Sequence, residues 1–476
     1  MPDSDRRSLT RSPDPRLITA VLAFAGMSAS FMQTLVVPIQ SELPTLLDAD
    51  RGETAWVITA TLLSACILTP VSGRLGDLYG KRRMAVAALV VLVLGSVVCA
   101  FAGDVWTLVV GRALQGAVMG VIPLGISILR DTLHRDRLPG AIALVSATLG
   151  IGGALGLPLS ALIAQSTDWH VLFWMSAALG VLDIVLILLV VPVSTLRSPG
   201  RFDVVGAIGL ALGLSGVLIA VSRGNDAGWT SLPIVASGLG GVAVLVLWGR
   251  FELRQRSPLV DLRVAVRPAV LFTNLASVAV GFAFFGAQIT LPQMLELPTA
   301  SGVGFGLSLI VASLVLAPSG LAMMATSPVA ASLSSRSGPR VVLISGAALI
   351  AVSYVLILPF GSEVWQILVV NALIGVGLGL AYAAMPTLIM HAVPASETAA
   401  ANGLNSLMRT LGTTLSSAVT AAVLAQLTVP VGAVEVPSSE GFRLTFVIGA
   451  AGAVVAVVLG LLIPRAPKPD AHPALP

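Results

Sequence analysis

The chain has 476 residues, of which 56% are hydrophobic and 11% charged, with a formal net charge of +4. A soluble domain is ordinarily about one-quarter charged, so this composition excludes a cytosolic enzyme, a secreted domain and a disordered chain. The two cysteines, Cys66 and Cys99, both lie in apolar runs, which argues against a disulfide framework and leaves no thiol cluster for a metal or redox centre.

The first 16 residues are polar and carry Arg6, Arg7, Arg11 and Arg16. The apolar run behind them is too long for a signal-peptide core and reads as a retained first span. Apolar runs fall at 17–39, 54–73, 84–103, 105–129, 139–165, 169–192, 204–222, 230–249, 268–295, 303–330, 341–360, 364–390, 397–427 and 443–463. A helix needs about 20 such residues to cross the hydrocarbon core, and none of the runs alternates as barrel strands do, so fourteen transmembrane helices are expected. With the N-terminus inside, 22 of the 27 Lys and Arg fall on the cytoplasmic side, three (Arg51, Arg223, Arg443) outside, and Arg112 and Arg409 within the membrane. Miscounting one early helix would reverse every later basic loop, so the charges support both the number and an orientation with both termini cytoplasmic.

Two loops look alike. Gly73 to Arg83 (GRLGDLYGKRR) follows the second run, and Ala331 to Arg340 (ASLSSRSGPR) follows the tenth. Aligning Gly80 with Gly338 also pairs Leu75 with Leu333 and Arg82 with Arg340. Such duplication, common in secondary transporters, divides the chain into a tail (1–16), a six-helix bundle (17–192), two inserted helices (193–249), a linker along the inner membrane face (250–267), a second six-helix bundle (268–463) and a tail (464–476).

Several short patterns carry chemistry. Gly73, Asp77, Gly80, Lys81 and Arg82 have the spacing G-x-L-x-D-x-x-G-K-R. The glycines permit a sharp turn, Asp77 can accept hydrogen bonds from a helix N-terminus, and Lys81 and Arg82 are expected at the cytoplasmic surface. Gly152 and Gly156 allow close helix contact, and Pro158 can bend the fifth helix; simple packing explains these residues as well. Arg112 is a cation inside the bilayer and must face a cavity or a partner, with Gln115 and Met119 on the same helical face. Asp183 is the one acid deep in a span; it is a coupling candidate or a protonated carboxyl bonded to a neighbouring helix. Glu42, Asp104 and Glu296 sit near outer helix ends.

These motifs resemble those of the major facilitator superfamily. The loop signature, Gly111-Arg112-Ala113-Leu114-Gln115-Gly116 in the fourth run, Gly152 to Pro158 in the fifth, and Asn405-x-x-x-Arg409-x-x-Gly412 in the thirteenth are all similar to its motifs. With fourteen helices the chain looks most like the 14-spanner drug:proton antiporters. The resemblance implies an all-α membrane protein with the major facilitator fold, two six-helix bundles plus two inserted helices. It implies that the Gly73–Arg82 loop, Gly152, Gly156, Pro158, Asn405 and Arg409 act in gating. It gives Arg112 a part in proton coupling, beside which Asp183 stands as the second candidate. It places the substrate cavity on helices 1, 4, 9 and 12, where Met32, Gln33, Gln115, Met119, Asn274, Phe285, Gln288, Asn371 and Tyr382 offer amides, aromatics and methionines suited to an amphiphile. One departure stands out: where many 14-spanners have L-D-x-T in the first helix, this chain reads Phe31-Met32-Gln33-Thr34-Leu35.

The expected function is export of amphiphilic small molecules by alternating access, of the multidrug-efflux type, driven by proton antiport. A lipid or endogenous-metabolite exporter of the same fold, without strict proton coupling, and a non-transporting membrane receptor or scaffold are the alternatives. The expected partners are a small amphiphile, protons and membrane lipids, with no nucleic acid, cofactor or metal, and the chain is expected to be a monomer that is not an enzyme. Two intramembrane arginines against one deep acid predict a preference for neutral, zwitterionic or anionic substrates over dications. Gly302 to Gly306 lacks a pore helix, Gly213 to Gly216 lacks a histidine base, and Gly80-Lys81 lacks the Ser or Thr of a nucleotide loop, so filter, protease and ATPase readings are set aside.

Overall fold

The computed structural model describes residues 14–465 apart from 41, 135, 195, 360, 432 and 433. Arg6, Arg7 and Arg11 of the expected N-terminal tail, and residues 466–476 of the C-terminal one, lie outside the described residues. Fourteen described helices are long and apolar enough to span a membrane: α1 (Pro15–Thr34), α2 (Gly52–Tyr79), α3 (Lys81–Ala100), α4 (Val105–Thr132), α5 (Leu138–Ala164), α6 (His170–Val190), α7 (Val204–Asn225), α8 (Leu232–Glu252), α9 (Pro268–Glu296), α10 (Leu309–Ser337), α11 (Pro339–Ile357), α12 (Val364–Ala392), α13 (Ala395–Gln426) and α14 (Ser439–Leu462). In hydrocarbon a helix satisfies its own backbone, which is why long apolar runs leave little else to form.

The packing gathers into two large apolar cores. One joins side chains from Ile18 to Val191, with Met390 from the other half. The other joins Ala276 to Ile463, with Ala143 and Ala147 of α5 reaching into it. Small residues set the approach of the helices. A Cβ on Gly116 would stand 2.6 Å from the Thr61 carbonyl oxygen, and one on Gly346 2.5 Å from that of Gly377. At Gly116 helix α4 tightens into a 3-10 turn over Gly116–Gly120. Helix α10 is broken at two X-Pro steps into Leu309–Leu316, Pro318–Ala325 and Ser327–Ser337, because each proline removes a backbone donor.

The inserted hairpin α7–α8 packs on itself through Gly216 and Gly241, and the Trp248 indole donates to the Gly206 carbonyl at 2.8 Å. Leu210, Leu214 and Leu218 of α7 share a third apolar cluster with Cys66 of α2 and Leu407 of α13, so α7 lies across a seam between the halves. The linker beyond α8 is tied back by the Leu259 N–H donating to Glu252 at 3.0 Å and forms a short helix, Leu262–Ala265.

One element differs from the all-helical expectation. After α13 the chain forms a hairpin, β1 (Thr428–Val431) against β2 (Val434–Pro437), antiparallel with Thr428 opposite Pro437. The alternating residues of TVPV and VEVP suit a strand pair outside the membrane.

Candidate functional site

The face on which α1 begins and α14 ends carries the basic loops and is closed along the seam between α2 and α13. Its closure rests first on Asp77. The carboxylate accepts from the N–H groups of Ala399 at 3.2 Å and Ala400 at 2.8 Å, in the first turn of the segment Thr398–Gln426 of α13. These N–H groups have no partner within their own helix, and the local N-cap residue, Glu397, does not bond them, so an acid from the other half takes the capping role. Gly73 lets the helices come this close: a Cβ there would lie 2.4 Å from the Ala399 oxygen. Gly80 then turns the chain at φ +111° into α3.

That turn corrects one expectation. Lys81 does not lie at the surface; it is 1% exposed and its Nζ is 2.7 Å from Asp131 Oδ2, with Asp77 Oδ1 at 4.0 Å. Helix α3 starts directly at Lys81, which aims the side chain inward at the end of α4. Arg82 donates to the Leu188 carbonyl at the end of α6. Arg130, which the motif reading did not single out, crosses to the other half and donates to the Val393 carbonyl at 3.2 Å and to Thr398 Oγ1. The Ser198 hydroxyl also crosses, donating to the Ser396 carbonyl at 2.6 Å. The signal available in the sequence was Arg130-Asp131, two opposite charges ending an apolar helix.

At mid-membrane, α5 meets α10. Gly150 and Gly320 pack so closely that a Cβ on Gly320 would lie 2.4 Å from the Gly150 oxygen. Gly152 and Gly156 face the other way, against Ser30, Phe31 and Thr34 of α1, within one half. Pro158 lies inside α5 without ending it.

Toward the opposite face a cavity of about 760 Å³ opens between the halves, lined by Gln40, Leu157, Gln288, Gln293, Glu296 and Ser313 among others. Below it a pocket of about 50 Å³ shares Leu157, Gln288 and Ser313 and adds Phe284 and Gly153. Of the expected cavity residues, Gln288 lines both spaces. Phe284, edge-on to Tyr382 at 6.3 Å, takes the place expected for Phe285. Tyr382 is buried beneath Arg409, whose guanidinium stands 4.8 Å from the ring centroid. The other expected lining residues sit elsewhere. Asn274 accepts from Asn405 Nδ2 at 2.9 Å, and Asn371 donates to the Leu316 carbonyl at 2.9 Å; both amides tie helices of one half together. Gln33 is partly exposed, but it is not among the residues that line either space.

Met32, Gln115 and Met119 lie within the first core, around Arg112. Arg112 is 1% exposed and donates to Gln115 Oε1 at 2.8 Å, the Met32 carbonyl at 3.2 Å and the Val57 carbonyl at 3.4 Å. Gln115 Nε2 donates to Ser96 Oγ at 2.8 Å and Ser176 Oγ at 3.3 Å. The guanidinium is therefore compensated by carbonyl and amide oxygens and is kept out of the cavity. Met32 occupies the place of the missing helix 1 aspartate, and its carbonyl meets the arginine. Two turns along α6 from Ser176, Asp183 is 0% exposed; neither carboxylate oxygen has a hydrogen-bond partner of ordinary geometry among the described residues, and the Ser28 hydroxyl is its polar neighbour.

Outside the spans, Asp104 is held below the usual carboxylate range by the Thr107 hydroxyl and the backbone N–H groups of Thr107 and Trp106, which fixes the start of α4.

A family model described as Major Facilitator Superfamily matches residues 22–303 and 275–476. The "Multidrug resistance protein B homolog" of Mycobacterium tuberculosis (strain ATCC 25618 / H37Rv) is 28% identical over 428 residues, covering 82% of this chain and 75% of that protein. The "Multidrug transporter protein MdtP" of Bacillus subtilis (strain 168) is 22% identical, covering 86% of this chain and 75% of that protein. Among solved structures, the human organic anion transporter MFSD10 (TETRAN) superposes with a TM-score of 0.66 at 14% identity, covering 94% of this chain and 100% of that one. The proton:xylose symporter XylE gives the same TM-score over 94% of this chain and 96% of that one. With fourteen membrane helices in two packed halves and a family model matched across nearly its whole length, the chain belongs to the Major Facilitator Superfamily and is a multi-pass membrane transporter.

Proposed function

We propose that the protein exports amphiphilic small molecules across the inner membrane by alternating access, as a monomer, with both termini cytoplasmic. The observation that carries this reading is the pairing of a basic face joined across the halves at the Asp77 seam with a cavity of about 760 Å³ open on the other face. Under the expected orientation this is the outward-facing state, from which substrate leaves. Relatives named for multidrug resistance support the substrate class. The wall of leucine, isoleucine, phenylalanine and glutamine suits a molecule with an apolar body and one polar group. The expected bias against positive charge does not carry over: Arg112 is enclosed away from the cavity, and Glu296 is the one ionisable residue among those lining it. Neutral and singly cationic amphiphiles are therefore the proposed substrates.

Proton antiport is the proposed energy source. Asp183 is a carboxyl group enclosed between α1 and α6 beside Ser28, and it can carry a proton through the cycle while Arg112 and Gln115 hold the surrounding helices in register. A lipid-like substrate is the second reading, favoured by an apolar groove of about 530 Å³ between Trp56, Leu68, Trp106 and Ala113 on α2 and α4.

The deciding experiment uses purified protein in liposomes with an imposed pH gradient and a panel of neutral, cationic and anionic amphiphiles. Gradient-driven flux that Asp183→Asn abolishes while substrate binding persists is expected. Flux that ignores the gradient, or an Asp183→Asn variant with normal coupled flux, overturns proton antiport. Single cysteines at Ser337 and Ser439, in a background lacking Cys66 and Cys99, should label from opposite sides; labelling from one side overturns the topology.

A further inference from the structure

Beside the Asp77 contact, a pocket of about 220 Å³ lies between α2, the two linkers that flank the inserted hairpin, and the start of α13. Arg74 forms part of its wall. The residue is 7% exposed, its Nε is buried with no hydrogen-bond partner, and it joins no ion pair among the described residues. The nearby acids are engaged: Asp77 with the α13 N–H groups, Asp131 with Lys81 and Ser194. A guanidinium presents five donors in a fixed fork, and buried donors ordinarily find acceptors.

A second cation, Arg256, reaches the same pocket from the linker beyond α8. The remaining wall is mostly apolar, including Val264, Val393 and Leu404, with two carboxylates, Asp261 and Glu397. Asp261 caps its own short helix, accepting from the N–H groups of Arg263 at 2.9 Å and Val264 at 3.4 Å.

We propose that Arg74 and Arg256 together hold a phosphate group at the seam between the two halves. The fork of Arg74 suits two phosphate oxygens, which a point charge would not select. Two cations and two carboxylates cancel formally, so a singly charged phosphodiester fits better than a phosphate dianion. Arg74 lies five residues before Tyr79, about 7.5 Å from the end of α2 at 1.5 Å per residue, which puts it within reach of a lipid headgroup at the basic face. The pocket is large enough for a headgroup and too small for a whole lipid. Its walls come from both halves, Arg74 on α2 and Ala400 and Leu404 on α13, so the site is complete only while the basic face is closed. A bound phosphate group therefore favours that state by its differential affinity for it.

The test reads binding alone and is independent of what the protein transports. Delipidated protein in neutral detergent is melted with phosphatidylglycerol, with inorganic phosphate, and with chloride at matched ionic strength. Phosphatidylglycerol is expected to raise Tm by several degrees and phosphate by less, while Arg74→Gln loses the shift. Arg256 is exposed, so Arg256→Gln folds normally and should lose most of it. A full shift with inorganic phosphate, lost in both variants, supports the site with the free anion as its occupant. Equal shifts in wild type and both variants, or no shift in wild type with either probe, overturn the proposal; if Arg74→Gln does not fold, Arg256→Gln decides.

Discussion

After α2 the chain turns at Gly80 with φ +111°, and after α10 at Gly338 with φ +85°; each glycine caps one helix and opens the next. Two residues on, Arg82 donates to the Leu188 carbonyl at the end of α6, and Arg340 donates to the Gly460 and Leu461 carbonyls at the end of α14. Both cations thus sit at the negative end of a helix dipole. Counting back from the glycines, the likeness fails. Asp77, capping α13 from the other half, has Ser335 as its counterpart, and the Ser335 hydroxyl only donates to the Ser332 carbonyl of its own helix. Gly73, in backbone contact with Ala399, corresponds to Ala331, whose methyl would stand 3.9 Å from a Cβ on Gly140, with no close backbone approach. Beside Ser335 an open pocket of about 580 Å³ remains between α5 and α10. The duplicated turn therefore supplies geometry in both halves and a charged closure in only one.

Four substitutions bear on this comparison, taken from the largest effect to the smallest. Gly73→Val drives a side chain into the Ala399 carbonyl and should hold the face open; transport falls to background and cysteines at the seam label from the basic side. Wild-type labelling would show that the approach at Gly73 is dispensable. Lys81→Met leaves Asp131 buried without its cation and should cost about 3 kcal/mol, read as a lowered midpoint in chemical unfolding. Asp77→Asn retains an acceptor but loses the charge. Hydrogen bonds to a charged group contribute about 1.5–3 kcal/mol, so closure should weaken by roughly tenfold or more, with folding intact. Unchanged transport would reduce the contact to an ordinary turn. Ser335→Asp should give the second turn the acid it lacks, near the α5 N-terminus. A charge at a helix start is worth about 0.3–1 kcal/mol, so over-stabilised closure should slow transport about two- to fivefold, and Asp77→Asn should partly reverse that loss. Faster transport in the single variant would show that Ser335 does not face the α5 terminus.

The spans were legible because twenty apolar residues have few other stable arrangements in a membrane, and the Asp77 turn was legible because its spacing is local. The cavity was harder to read. Helical spacing assigns Met32, Gln115 and Met119 to one side of a helix, but not the neighbour that covers that side; here it is the core around Arg112. The one-residue difference between Phe284 and Phe285 is a rotation of about 100°, larger than a stripe of small and aromatic residues can fix. Lys81 is buried by Asp131, fifty residues away, a pairing that its own loop does not encode. The strands Thr428–Val431 and Val434–Pro437 carried a readable alternation that was obscured by the apolar residues on both sides.

Under the proposed alternating access, helix α7 offers the movement of the halves a pivot. Arg223 donates to the Gly52 carbonyl at 2.6 Å and stacks on Trp56 of α2, while Asn225 donates to the Ala418 carbonyl of α13 at 3.1 Å. One short stretch of chain thus grips both halves, at the start of α2 and the end of α7, away from the basic loops. Under the proposed alternating access, two shells held this way part as a hinge does, with little travel at the gripped ends and most at the Asp77 seam on the basic face.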